Sequence, residues 1–219
     1  MDEALTLAVD GRRPPTPVAV KELAALCDRV EDGGHGVAVL RVAGAPGPHW
    51  ANGLDTALVT KWERALRRFE RLPAVTVAVA TGDTGGTALD AFLAADLRLV
   101  APDTRLVLPS DGEATWPGMA AFRLVRLLGA GRARRAVLFG DPICAEDTLA
   151  SGLADELVDD PDAALADLVH RYGADGGSEL AVRRQLLLDA ATTPFEDALG
   201  SHLAACDRAL RRTTTQEPT

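Results

Sequence analysis

Apolar and polar positions alternate along Leu5-Thr6-Leu7-Ala8-Val9 and stop at Asp10-Gly11, which predicts an edge strand closed by a turn. Over residues 17–30 the period lengthens. Val18, Leu23, Leu26, Cys27 and Val30 recur at helical spacing, with Thr16 placed to cap the helix and Pro17 at its first position. Gly33-Gly34 end that pattern, and residues 37–42 read as a β-branched strand. A loop rich in Gly, Pro and Ala follows over 43–53, then an amphipathic helix over about 55–72. Residues 74–80 are almost wholly apolar, the mark of a strand buried on both faces. Residues 82–87 read as a second glycine loop that opens a short helix through Ala95. Two further strands are predicted over 97–101 and 105–108, followed by a loop over 109–118. Helical patterns fill 119–129, 132–139 and 145–151, and the chain over 161–212 is helical with breaks at 173–178 and around Pro194.

Strand, loop and helix alternate in this order, which predicts an α/β fold with a mostly parallel sheet and a helical C-terminal part. The 219 residues fit one compact domain with at most a small appended piece, divided here into a core over 1–160 and a helical region over 161–219. Two of the glycine loops follow strands, where open α/β sheets carry their sites.

Composition narrows the partners. Apolar residues make up 47% of the chain, enough for a core. The formal net charge of −9 argues against a nucleic-acid backbone or an anionic membrane surface as the main partner. Aromatic residues, at 4%, are too few for a base-stacking platform. The apolar stretch over 72–82 is too short to span a bilayer and is closed by Asp83. Met1-Asp2-Glu3 has the wrong sign for a secretory leader, and Cys27, Cys144 and Cys206 lack disulfide or metal spacing. The expectation is a cytoplasmic protein without a metal.

Several chemistries lack their residues. There is no phosphate-binding loop of the Gly-x-x-x-x-Gly-Lys type and no Gly-x-Ser-x-Gly elbow. His35, His49, His170 and His202 have no spacing that would hold a metal from one element. What remains is the pair of strand-to-helix junctions. In Gly82-Asp83-Thr84-Gly85-Gly86-Thr87, glycines beside a helix N-terminus admit a ligand carbonyl to unpaired N–H groups, an arrangement suited to a developing oxyanion. Asp90 lies one turn further along, either as a base or water-holder, or as a charge that merely complements the helix dipole. His49-Trp50-Ala51-Asn52-Gly53-Leu54-Asp55 either presents a second N–H or is an ordinary connection. In the third loop, Asp111 and Glu113 are candidate acid/base groups or solvated acids. Arg123, Arg126, Arg132, Arg134 and Arg135 either bind a phosphate or an acidic neighbour, or form a solvated helix face.

Order and spacing together resemble a known family. Residues 140–158 (GDPICAEDTLASGLADELV) are similar to the "TG-x-x-I-x-A-x-x-A-x-x-x-GLV-x-x-V" signature of the crotonase, or enoyl-CoA hydratase/isomerase, superfamily. Arg132-Ala133-Arg134-Arg135-Ala136 resembles its "VG-x-x-x-A" helix, Pro117-Gly118 its Pro-Gly loop, and Ala94-Ala95-Asp96-Leu97-Arg98-Leu99-Val100-Ala101 its "A-x-D-x-R-x-A" strand. The resemblance implies a spiral of ββα units, a helical C-terminal oligomerisation region, and a homotrimer or a dimer of trimers. It implies an acyl-CoA substrate and no cofactor beyond the CoA that the substrate carries. It places one oxyanion-hole N–H at Thr87, next to Gly86, the second near Gly53, and the first acid/base carboxylate at Asp90. Ala51, Ser110, Asp111, Glu113, Trp116 and Pro117 are then expected to line the substrate. The family's second catalytic glutamate falls on Ser110, so the acid/base half is depleted unless Asp111 or Glu113 substitutes.

The short chain, Asp90, Trp116-Pro117-Gly118-Met119 and the tail over 195–207 resemble the DpgB-type hydratase-like proteins of 3,5-dihydroxyphenylglycine biosynthesis in glycopeptide-antibiotic pathways. That subgroup implies dehydration and aromatisation of a polyketide-derived acyl-CoA to 3,5-dihydroxyphenylacetyl-CoA beside a type III polyketide synthase. The alternatives are a catalytically silent protein that binds the synthase and a generic short-chain enoyl-CoA hydratase.

Overall fold

The computed structural model describes residues 4–34, 36–110 and 114–215, so His35, Asp111 and Glu113 lie outside the described residues. Strand β1 (Leu5–Asp10) leads through α1 (Pro17–Gly33) into β2 (Val37–Gly44), and the two strands pair in parallel from Leu5 opposite Ala38. Thr16 caps α1 by accepting from Ala19 N at 3.0 Å, as its position ahead of Pro17 predicts. Asp55 does the same for α2 (Thr56–Phe69), accepting from Leu58 N at 2.6 Å. There follow β3 (Val75–Gly85), α3 (Gly86–Leu93), β4 (Leu97–Val100), β5 (Arg105–Val107) and α4 (Met119–Phe139). The chain continues through β6 (Ile143–Cys144), α5 (Ala145–Ala150) and β7 (Glu156–Leu157) to three final helices, α6 (Pro161–Tyr172), α7 (Ser178–Ala190) and α8 (Phe195–Thr215). The sheet order is β1-β2-β3-β4-β7, with β5 on β3 and β6 antiparallel to β5.

Strand β3 carries the architecture. Val75, Val77 and Val79 face one way and pack with Val37, Val39 and Leu99 against Leu165 and Leu168 of α6. Ala78 and Ala80 face the other way, into a larger cluster that includes Leu23 and Leu26 of α1, Trp62, Leu66 and Phe69 of α2, and Leu89 and Phe92 of α3. Burial on both faces is why the segment reads as an uninterrupted apolar run.

Residues 82–87 are not the glycine loop that their composition predicts: β3 runs on to Gly85, and α3 starts at Gly86. Residues 77–80 pair with β4, while Asp83, Thr84 and Gly85 pair with Arg105, Leu106 and Val107 of β5. Arg105 Nε reinforces that second pairing by donating to Asp83 Oδ1 at 2.7 Å. One strand thus changes partner midway, and the register of β2 shifts between Ala43 and Gly44 to match. Helix α4 contains the break expected near residue 130, at Gly129 with φ 76°.

Helices α6 and α7 dock on the sheet. Arg184 of α7 is buried, and its guanidinium reaches Asp96 at 2.6 Å and the carbonyls of Leu72 and Ala74. Helix α8 is tied to α7 through an Arg212–Glu179 ion pair. Among the described residues no helix is long and apolar enough to cross a membrane.

Candidate active site

The turn from β3 into α3 forms an elbow. Gly86 has φ 52°, and a methyl group there would lie 2.9 Å from Gly11 O and 2.9 Å from Cε2 and Cζ2 of Trp50, so both backbone conformation and space require glycine. Thr87 follows at the second helical position, where no intrahelical carbonyl is available to its amide and the helix dipole is positive. The Thr87 hydroxyl is engaged elsewhere, 3.1 Å from Asp10 O and 3.0 Å from Arg13 O. The side chain therefore pins the turn after β1, and Thr87 is buried at 3% exposure. A cavity of about 450 Å³ reaches Thr87 between β1 and α1, walled by Val9, Asp10, Arg13, Val18 and Trp62.

The loop before α2 is a run of turns, held by Trp50 N to Gly47 O (3.2 Å), Asn52 N to His49 O (2.9 Å) and Leu54 N to Ala51 O (3.1 Å). His49 adopts φ 64°, the one positive value outside glycine among the described residues. The Gly53 amide, exposed at the end of this run, has no hydrogen-bond acceptor among the described residues, whereas its neighbours Asn52 and Leu54 are paired. Ala51 is half-buried beside it. Trp50, 8% exposed, lays its ring on Gly86 and meets Trp116 edge to face, with centroids 6.0 Å apart.

Trp116 is half-buried. Its amide donates to Pro109 O at 2.7 Å and its indole folds over Gly118, where a methyl group would lie 2.6 Å from Nε1. Gly86, Trp50 and Trp116 are thus brought together, while Pro117 is exposed. Ser110 is also exposed, and its hydroxyl donates to Ala114 O at 3.1 Å, so the position that aligns with the second glutamate helps close its own loop.

Asp90 lies on α3 one turn beyond Thr87, half-buried. It accepts from Trp62 Nε1 at 3.3 Å, and Trp62 also borders the cavity at Thr87. Burial pushes the Asp90 carboxyl up to about 7, reinforced by the negative charge of Glu63. Arg123 and the N–H groups of Trp62 and Ala120 pull the other way. A carboxyl that titrates near neutrality can both take and return a proton.

Glu63, Glu70 and Arg123 are the residues that the sequence pattern did not bring to this site. Arg123 is 8% exposed rather than part of a solvated arginine face, and it bridges Glu63 and Glu70 at 2.9 Å each. By contrast Arg135 pairs with Asp141 at 2.7 Å in solvent. Because Asp90 holds its proton more tightly folded than at the ordinary value of 3.8, its contribution favours the native state below about pH 4 and is lost as pH rises to about 7. Glu63→Gln removes a repelling charge, so the upper end of that window is expected to move to lower pH. Urea unfolding from pH 4 to 8 reads this as a change in slope (an unchanged slope would separate Glu63 from Asp90), whatever the offset from the lost ion pair.

The model of the enoyl-CoA hydratase/isomerase family matches residues 49–217. A protein of Amycolatopsis orientalis named enoyl-CoA hydratase is 53% identical over 216 residues, covering 98% of this chain and 100% of that protein. A crystal structure of an enoyl-CoA hydratase/isomerase from Marinobacter aquaeolei superposes with a TM-score of 0.76 at 18% identity, covering 96% of this chain and 90% of that one. An enoyl-CoA hydratase from Shewanella pealeana gives 0.80 at 15% identity, covering 95% and 86%. These two structures share the fold with this chain. The partner-switching strand, the glycine elbow and the matched family model lead to one conclusion: the chain belongs to the enoyl-CoA hydratase/isomerase family, with the crotonase α/β fold.

Proposed function

We propose that the protein is a dehydratase-type lyase that promotes dehydration and aromatisation of a polyketide-derived acyl-CoA to 3,5-dihydroxyphenylacetyl-CoA, beside a type III polyketide synthase. The observation that carries this reading is one half-buried carboxyl, Asp90, held near pH 7 on the helix that starts at the elbow, with a serine where the family's partner glutamate falls. Amides of Gly53 and Thr87 hold the thioester oxygen as charge develops on it. Asp90 takes the proton from the carbon next to the carbonyl, giving an enolate. The β C–O bond then breaks, the carbon–carbon double bond forms, and Asp90 returns its proton to the departing hydroxyl, which leaves as water. One carboxyl closes this cycle because its proton goes out and comes back.

A hydratase of the usual kind holds water between two carboxylates, and Ser110 does not supply the second. The reading needs no cofactor beyond the CoA of the substrate. Exposed Phe195, Leu199, Leu203 and Leu210 on α8 support an oligomerisation role for residues 161–219, in a trimer or a pair of trimers.

The second reading is a silent accessory that binds the synthase, favoured by Ser110 and by the Trp50 ring lying on Gly86. Adding purified wild type or Asp90→Ala to the synthase separates the two. The enzyme reading predicts that only wild type raises the aromatic product, whereas an equal rise with both proteins makes the effect one of binding. Crotonyl-CoA, assayed by absorbance, is expected to be turned over poorly or not at all, and rapid hydration would favour a generic hydratase.

A further inference from the structure

A buried indole N–H almost always finds an acceptor. Trp50 Nε1 is buried and has no hydrogen-bond partner among the described residues. Its place is specific: Cε2, the atom bonded to Nε1, is one of the two ring atoms that approach Gly86. The unpaired N–H is therefore one bond from the surface that meets the elbow, beside the turn that carries Gly53. Trp116 stands against the same ring at 73° and is itself half-buried. Two indoles at that angle offer a face and an edge to a third planar ring. An aliphatic acyl chain would leave the N–H unpaired, whereas a ring that carries oxygen would satisfy it.

We propose that Trp50 and Trp116 form the acyl-recognition subsite of this elbow, for a planar ring bearing oxygen substituents, with Trp50 Nε1 donating to one of those oxygens; this rests on the acyl-CoA function proposed above. A site built around a hydrogen bond rejects the ligand that lacks the matching oxygen, because a desolvated polar group is then left without a partner.

Calorimetric titration of the full chain with 3,5-dihydroxyphenylacetyl-CoA and with phenylacetyl-CoA tests the subsite. Wild type is expected to bind the dihydroxylated thioester about five- to tenfold more tightly, the worth of one neutral hydrogen bond. Trp50→Phe is expected to abolish that preference and also to weaken both probes, since it removes ring surface along with the N–H. Trp50→benzothienylalanine, which keeps the bicyclic shape and loses only the N–H, is expected to abolish the preference by weakening the dihydroxylated thioester alone. Persistence of the preference in the benzothienyl variant overturns the proposal, as does equal weakening of both probes in it or a wild type without preference. Failure of the catalytic reading looks different: both probes bind with the preference intact, and no turnover depends on Asp90.

Discussion

Asp90→Asn is expected to lower dehydration of the acyl-CoA substrate by about 10²- to 10⁴-fold, the range for a positioned proton-transfer group. Asparagine keeps the shape of the side chain and an oxygen for Trp62 Nε1, which lies 3.3 Å from Asp90 Oδ2, so the fold has no reason to fail. The same variant removes the titration. Because the proposed cycle starts with Asp90 as the carboxylate that takes the carbon-bound proton, the wild-type rate should rise with pH through about 7 and level off above it. That inflection is expected to vanish in the variant, in a plot of kcat/KM against pH. Unchanged turnover would remove Asp90 from the chemistry and leave a protein that only binds.

Arg184→Ala is expected to lower the unfolding free energy by about 3–5 kcal/mol, the effect of leaving a buried charge without its partner. Arg184 is 7% exposed and spends its donors on four acceptors: Asp96 Oδ1 at 2.6 Å, Asp96 Oδ2 at 2.6 Å, Ala74 O at 2.7 Å and Leu72 O. Asp96 Oδ2 in turn receives Thr76 N at 3.0 Å and Thr76 Oγ1 at 2.9 Å, which locks the start of β3 to the start of β4. Alanine would leave two carbonyls and part of a carboxylate without donors, at the point where α7 closes over the sheet. Domains are stable by only about 5–15 kcal/mol, so this loss is a large share of the total. Denaturant unfolding with an unchanged m-value checks it. A loss below about 1 kcal/mol, the range of an exposed pair, would mean that the guanidinium is not structural.

Local signals carried much of this architecture. Thr16-Pro17 and Asp55 announce two helix starts because capping needs only neighbouring residues. The apolar run at 75–80 announces a central strand because burial on both faces leaves no alternation to read. Gly129 announces the break in α4. What stayed hidden depends on long-range pairing. Extension of β3 to Gly85 requires β5 to arrive twenty-odd residues later, and glycines in that stretch look like a loop without it. β6 and β7, two residues each, are too short to show a period. At the site, the order of motifs put Thr87 at a helix start and Asp90 one turn further on, which is where α3 carries them. The buried bridge from Arg123 to Glu63 and Glu70 was not, because a crowd of arginines carries no mark of which one turns inward.

In the proposed mechanism the Gly53 and Thr87 amides polarise one acyl oxygen. Difference infrared spectroscopy of a bound acyl-CoA with an isotope-labelled thioester carbonyl measures that polarisation directly. A carbonyl stretch displaced to lower frequency is expected in the wild-type complex. Gly86→Ala, whose methyl would press on Gly11 O and the Trp50 ring, is expected to return the stretch towards its value in water. A bound carbonyl that vibrates as it does in free solution would mean that the two amides do not hold it.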